Sequence, residues 1–94
     1  MFRIWGKVMK NTKFLQDMVV EIEDTNMTRE EKIMESIDQC CMAFDLQIPM
    51  WFDKNTKEMK QFRKTSFHAD QFIETIKFDY FEIEIIEDDQ KSFI

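Results

Sequence analysis

The sequence predicts an α+β domain: a mostly antiparallel sheet of three to four strands in ββαβ(α)β order, with one main helix packed on one face. Three observations lead there. Residues 2–9 and 14–23 alternate apolar and polar side chains, residues 28–45 repeat apolar ones at helical spacing, and residues 77–87 alternate again. At 94 residues the chain is expected to form a single domain, 1–94. Its 44% apolar content includes ten Phe, two Trp and eight Met, which supply the burial a small core needs against chain entropy.

In the first pair of strands, Phe2, Ile4 and Val8 alternate with Arg3, Trp5 and Lys7, and Met18, Val20 and Ile22 alternate with Asp17, Val19 and Glu21. A three-residue loop at 11–13 sets Phe2 opposite Ile22 and Ile4 opposite Val20. It also sets Arg3 opposite Glu21 and Lys7 opposite Asp17 on the other face. Slipping the register by one would bury Asp17, so this pairing is preferred. It implies that the basic first strand is neutralised by its hairpin partner.

Thr28 and Glu31 form a capping box, and Glu30 and Glu31 suit the positive end of the helix dipole. Ile33, Ile37, Cys40 or Cys41, and Phe44 then define one apolar face of a helix over 28–45. A short strand is expected over 47–52, with Pro49 at its start or on an edge, followed by a short helix over 56–63 capped by Asp53 or Asn55. Residues 67–75 are the least regular stretch and read as a strand end followed by one helical turn. The last strand, 77–87, points Phe81, Ile83 and Ile85 to one side, and residues 88–94 read as a frayed tail. The expected core is Phe2, Ile4, Val8, Met18, Val20, Ile22, Ile33, Ile37, Phe44, Phe81, Ile83 and Ile85.

The net charge of −6 disfavours generic nucleic-acid binding, which draws its affinity from neutralising phosphates. The charge is uneven. Residues 1–13 carry Arg3, Lys7, Lys10 and Lys13 without an acid, whereas residues 79–89 carry Asp79, Glu82, Glu84, Glu87, Asp88 and Asp89 without a base. The acidic run reads as a solvated strand face that deters edge-to-edge pairing. Lys57, Lys60, Arg63 and Lys64 form a basic contact face near Trp51, and Trp5 and Trp51 are the candidate aromatic contacts. Basic groups beside aromatics can hold single-stranded nucleic acid, but a short helix with a wet lysine face is the simpler reading.

Cys40 and Cys41 are adjacent, a spacing unsuited to a mutual disulfide, and they point to a reducing compartment. With no long apolar run in residues 1–13 and no span of membrane length, a cytoplasmic protein with no membrane partner is expected. His68 is the only histidine and stands far in sequence from both cysteines, so neither a zinc site nor a Cys–His nucleophile is assigned. No catalytic, cofactor-binding or metal-ligating residue is assigned, and no cofactor is expected.

Trp5-Gly6-Lys7, Phe44-Asp45-Leu46 with Pro49 and Trp51, Phe67 with Asp70-Gln71-Phe72-Ile73-Glu74, and Phe78-Asp79-Tyr80-Phe81-Glu82-Ile83 together resemble a group of short uncharacterised bacterial proteins of unknown function. The resemblance runs from Met1 to about Asp88 and implies one compact bacterial domain, but no activity. The expected function is a small non-catalytic protein-interaction or regulatory module, meeting another protein or a second copy of itself. Nucleic-acid binding or DNA mimicry is the first alternative, and a small enzyme without a recognisable motif is the second.

Overall fold

Alternation of apolar and polar residues builds the first hairpin where the sequence places it. In the computed structural model, which describes residues 1–88, β1 is Phe2–Lys10 and β2 is Lys13–Ile22. Phe2 faces Ile22, Ile4 faces Val20, Arg3 faces Glu21 and Lys7 faces Asp17, as expected. The turn differs. Only Asn11 and Thr12 lie between the strands, with φ of 53° and 64°, and Lys10 pairs with Lys13. Two positive φ values give the turn a twist that suits a right-twisted hairpin. The residue gained by shortening the loop is absorbed as a bulge at Leu15, between the Val8–Gln16 and Met9–Phe14 pairs.

The capping box forms as read. Thr28 Oγ1 accepts from the Glu31 amide at 3.1 Å, and Glu31 Oε1 accepts from the Thr28 amide at 2.8 Å. Helix α1, Arg29–Phe44, ends where Asp45 turns left-handed at φ 58°. Its buried face carries Ile37, Cys40, Cys41 and Phe44. A Cβ on Gly6 would lie 2.4 Å from Cys40 Sγ, so the missing side chain in β1 is what lets α1 approach the sheet.

The second half departs from the expected order. No strand forms over 47–52. Pro49 has no N–H to give a ladder, and Met50 is fastened instead to Gln71: its amide donates to the Gln71 carbonyl at 2.7 Å and its carbonyl accepts from Gln71 Nε2 at 3.0 Å. Helix α2, Asp53–Phe62, starts earlier than read because Asn55 Oδ1 accepts from the Phe52 amide at 2.8 Å, capping the turn from inside the helix. Strand β3, Lys64–Phe67, follows directly, then a short 3₁₀ turn at Ala69–Gln71. Strand β4 is Tyr80–Glu87, beginning after Asp79, whose carboxylate accepts from the Asn11 amide at 2.8 Å. The chain therefore runs β1 β2 α1 α2 β3 β4.

The sheet is antiparallel in the order β2-β1-β4-β3, so the acidic β4 is an interior strand, not an edge. Both helices lie on its inner face. Phe2, Phe67 and Phe81 are fully buried there, each contributing about 1.5–3 kcal/mol of apolar burial. Met18 and Ile33, expected in the core, are only half-buried at its margin, and Met59, Phe67 and Phe72 complete it. At the chain end Asp88 meets Arg29 at 3.0 Å; the rest of the expected tail, 89–94, lies outside the described residues.

Candidate functional site

On the outer face of the sheet, charge is consumed in pairs. Lys7 is nearly buried, and its Nζ lies 3.0 Å from Glu82 and 2.8 Å from Glu84. The same Nζ sits 3.9 Å from the centre of the Trp5 ring. Burial pulls the Lys7 ammonium down, but the bonds and charges of Glu84 and Glu82 outweigh it and hold the pKa above the ordinary 10.5. Lys7 thus faces Asp17 in register but gives its charge to β4, contrary to the expected hairpin neutralisation. Asp17 instead accepts from Trp5 Nε1 at 2.9 Å. Arg3 meets Glu21 at 2.9 Å and Glu87 at 3.4 Å. Trp5 packs against Phe14, ring centroids 5.7 Å apart, because the bulge at Leu15 turns Phe14 to this face.

The bases of α2 and the start of β3 are different. Lys57, Lys60, Arg63 and Lys64 are all exposed, and among the described residues no ion pair engages them. They are not one helical stripe: Arg63 is the left-handed cap that ends α2, at φ 61°, and Lys64 opens β3 opposite Glu84. Of the two acids of that helix, Asp53 opens its first turn and Glu58 turns inward to Thr65. Beside α2 runs an apolar groove of about 320 Å³ lined by Glu30, Ile33, Met34 and Trp51. It continues between the helices past Thr56, Met59 and Lys60. Trp51 is fixed there, donating through Nε1 to Thr56 Oγ1 at 2.9 Å and tilting onto Phe67 at 5.9 Å.

The structure therefore parts the two candidate tryptophans, Trp5 on the outer face and Trp51 on the helical side. It brings Trp51 and Lys60, near neighbours in sequence, to one groove with Ile33 of α1, which no spacing in the sequence announced. Met34, 44% exposed on α1, belongs to that groove and was not singled out by sequence. A larger hollow of about 410 Å³ lies between residues 45–47 and 72–78, where Gln47 Oε1 accepts from the Glu74 amide at 3.1 Å.

Cys40 and Cys41 are buried under α1, which pushes their thiols up to about 11 and about 12. His68 is exposed on the other side of the sheet, against Tyr80 at 5.4 Å. No Cys–His pair is assembled. A buried polar network also escaped sequence reading. Asn55 Nδ2 donates to Thr65 Oγ1 at 2.7 Å, and Gln71 Nε2 donates to Asn55 Oδ1 at 2.8 Å. Asn55 shows a signal, its place three residues after Phe52 in a first helical turn; Gln71 shows none.

No helix among the described residues is long and apolar enough to cross a membrane. Comparison with family models, with curated proteins and with solved structures finds no match, so the resemblance to short bacterial proteins assigns no activity here.

Proposed function

We propose that the protein is a non-catalytic interaction module whose helical side receives an acidic, apolar segment of another protein. The observation that carries this is the groove of Ile33, Met34 and Trp51 beside the unpaired Lys60. Apolar side chains of a partner gain area in the groove, and an aromatic anchor such as Trp51 is the residue type that concentrates binding energy. Carboxylates on the partner meet Lys60, and Lys57, Arg63 and Lys64 add longer-range attraction that speeds encounter. A chain of net charge −6 that leaves these four bases uncompensated while pairing Arg3 and Lys7 twice over presents a polarised surface.

The test is affinity capture from lysate, with and without nuclease treatment, by the wild type, by Met34→Asp and by Lys60→Glu, each checked for native circular dichroism. A protein recovered by wild type and lost from both variants is the expected result. Equal recovery by all three excludes the groove. Recovery of nucleic acid, lost on nuclease treatment, would transfer the basic face to the nucleic-acid reading, for which the same four bases and Trp51 are the supporting residues.

A further inference from the structure

The long edge of the sheet is a second surface, separate from the groove. β2 is an outermost strand of 10 residues, whereas β3, the other outermost strand, has 4 and packs beside α2. An edge strand offers a row of backbone N–H and C=O groups to any other strand, and natural edges are blunted by brevity, prolines, bulges or inward charges. On β2 the one bulge lies at Leu15, close to the turn. Residues 16–22 run in unbroken register with β1, with neither a proline nor an inward-facing charge. Apolar side chains stand exposed along it: Phe14 at 55%, Leu15 at 52% and Val19 at 45%.

The charges on this strand and at its two ends are sorted by end. Lys10 and Lys13 lie exposed at the turn, and Glu21, Glu23 and Asp24 lie exposed at the far end. A strand with a basic head and an acidic tail is complementary to its own antiparallel copy, because each head then meets the other's tail. We propose that a second copy of this chain docks antiparallel on β2 about a two-fold axis perpendicular to the sheet, joining two four-stranded sheets into one. Such an axis keeps both helical layers on the same side. Its position follows from the acids. Centred on Asp17 it would set that carboxylate against its own copy, and centred on Val19 it would set Asp17 against Glu21. Centred on Met18 it sets Asp17 opposite Val19 and Gln16 opposite Val20, and brings the basic turn end of each strand alongside the acidic far end of the other, twice by symmetry.

The experiment is sedimentation equilibrium of the full chain from micromolar to millimolar concentration, with circular dichroism of each variant. Wild type is expected to reach twice 11.5 kDa. Val19→Asp places a like charge opposite Asp17 and should abolish the dimer, whereas Val19→Lys in the same position should retain it. Lys13→Glu should weaken the dimer roughly tenfold, and adding Glu23→Lys in the same chain should restore it. Met34→Asp, in the groove, should leave it unchanged, so this inference and the groove reading can fail separately. A monomer at every concentration overturns the proposal, as does a dimer indifferent to Val19→Asp and to the charge exchange.

Discussion

On the outer face of the sheet the bases of β1 are spoken for: Lys7 holds Glu82 and Glu84, and Arg3 holds Glu21 and Glu87. On α2 and at the start of β3, Lys57, Lys60, Arg63 and Lys64 face solvent without an ion-pair partner among the described residues. The difference is one of strand position. β1 and β4 are neighbours in the middle of the sheet, so their alternating bases and acids are pressed into contact, while α2 and the start of β3 lie at its margin. Charges with the same formal value therefore do different work. Those in the middle of the outer face hold the fold, and those on the helical margin remain available to a partner.

The sharpest way to break this comparison is to remove one lysine from each side. Lys7→Ala leaves Glu82 and Glu84 facing each other with little solvent, and should cost about 3 kcal/mol of unfolding free energy in urea. Lys60→Ala should stay within about 0.5 kcal/mol of wild type. Equal effects from the two would erase the distinction. Beneath the helices, stability is carried by neutral polar groups. Asn55→Ala leaves one N–H of the Gln71 amide and the Phe52 N–H without their acceptor, and a loss of about 2 kcal/mol by thermal or urea unfolding is expected.

The buried thiols extend the contrast to pH. Their folded pKa values lie above the ordinary 9.0, at about 11 and about 12, so between pH 9 and those values the unfolded chain loses the thiol protons first. Unfolding then releases protons, and stability falls by about 1.4 kcal/mol per pH unit for each thiol. Lys7 adds to this only at higher pH: its raised pKa contributes stability below 10.5 that is lost as pH climbs through the folded value. Unfolding followed from pH 8 to 10.5 should show the slope, and Cys41→Ala should reduce it. A flat profile would mean that the thiols are not sequestered. A gain in stability is expected at the hairpin tip. Thr12, β-branched at φ 64°, sits where glycine is favoured, and Thr12→Gly should raise the unfolding free energy measured in urea by about 1 kcal/mol.

How much of this was legible in the sequence differs from element to element. The β1–β2 register was readable because a one-residue slip would have buried Asp17, a penalty written into the alternation itself. The turn was not, since a two-residue turn with a bulge at Leu15 yields the same pairs over Phe2 to Val8 as a three-residue loop without one. Residues 47–52 looked like a strand because aromatic and apolar residues cluster there. They are held instead by Gln71, 21 residues further on from Met50, whose side chain carries no local pattern. The basic residues were visible as a cluster, but the groove they border needed α1 and α2 to lie side by side, and that placement rests on contacts distant in sequence.

Local chemistry decides what can be written along the chain: the alternation that makes strands, the Thr28–Glu31 cap, the apolar stripe of α1 and the charge sorting of β1, β2 and β4. These depend on neighbours within a few residues, and their periods are fixed by backbone geometry. The tertiary structure decides which strand lies beside which. By seating β4 between β1 and β3, it gives Lys7 to Glu82 and Glu84, leaves β2 as the long open edge, and divides Trp5 from Trp51 across the sheet. Strand neighbours are chosen by the packing of the whole apolar face at once, a many-body condition that no single segment of sequence contains.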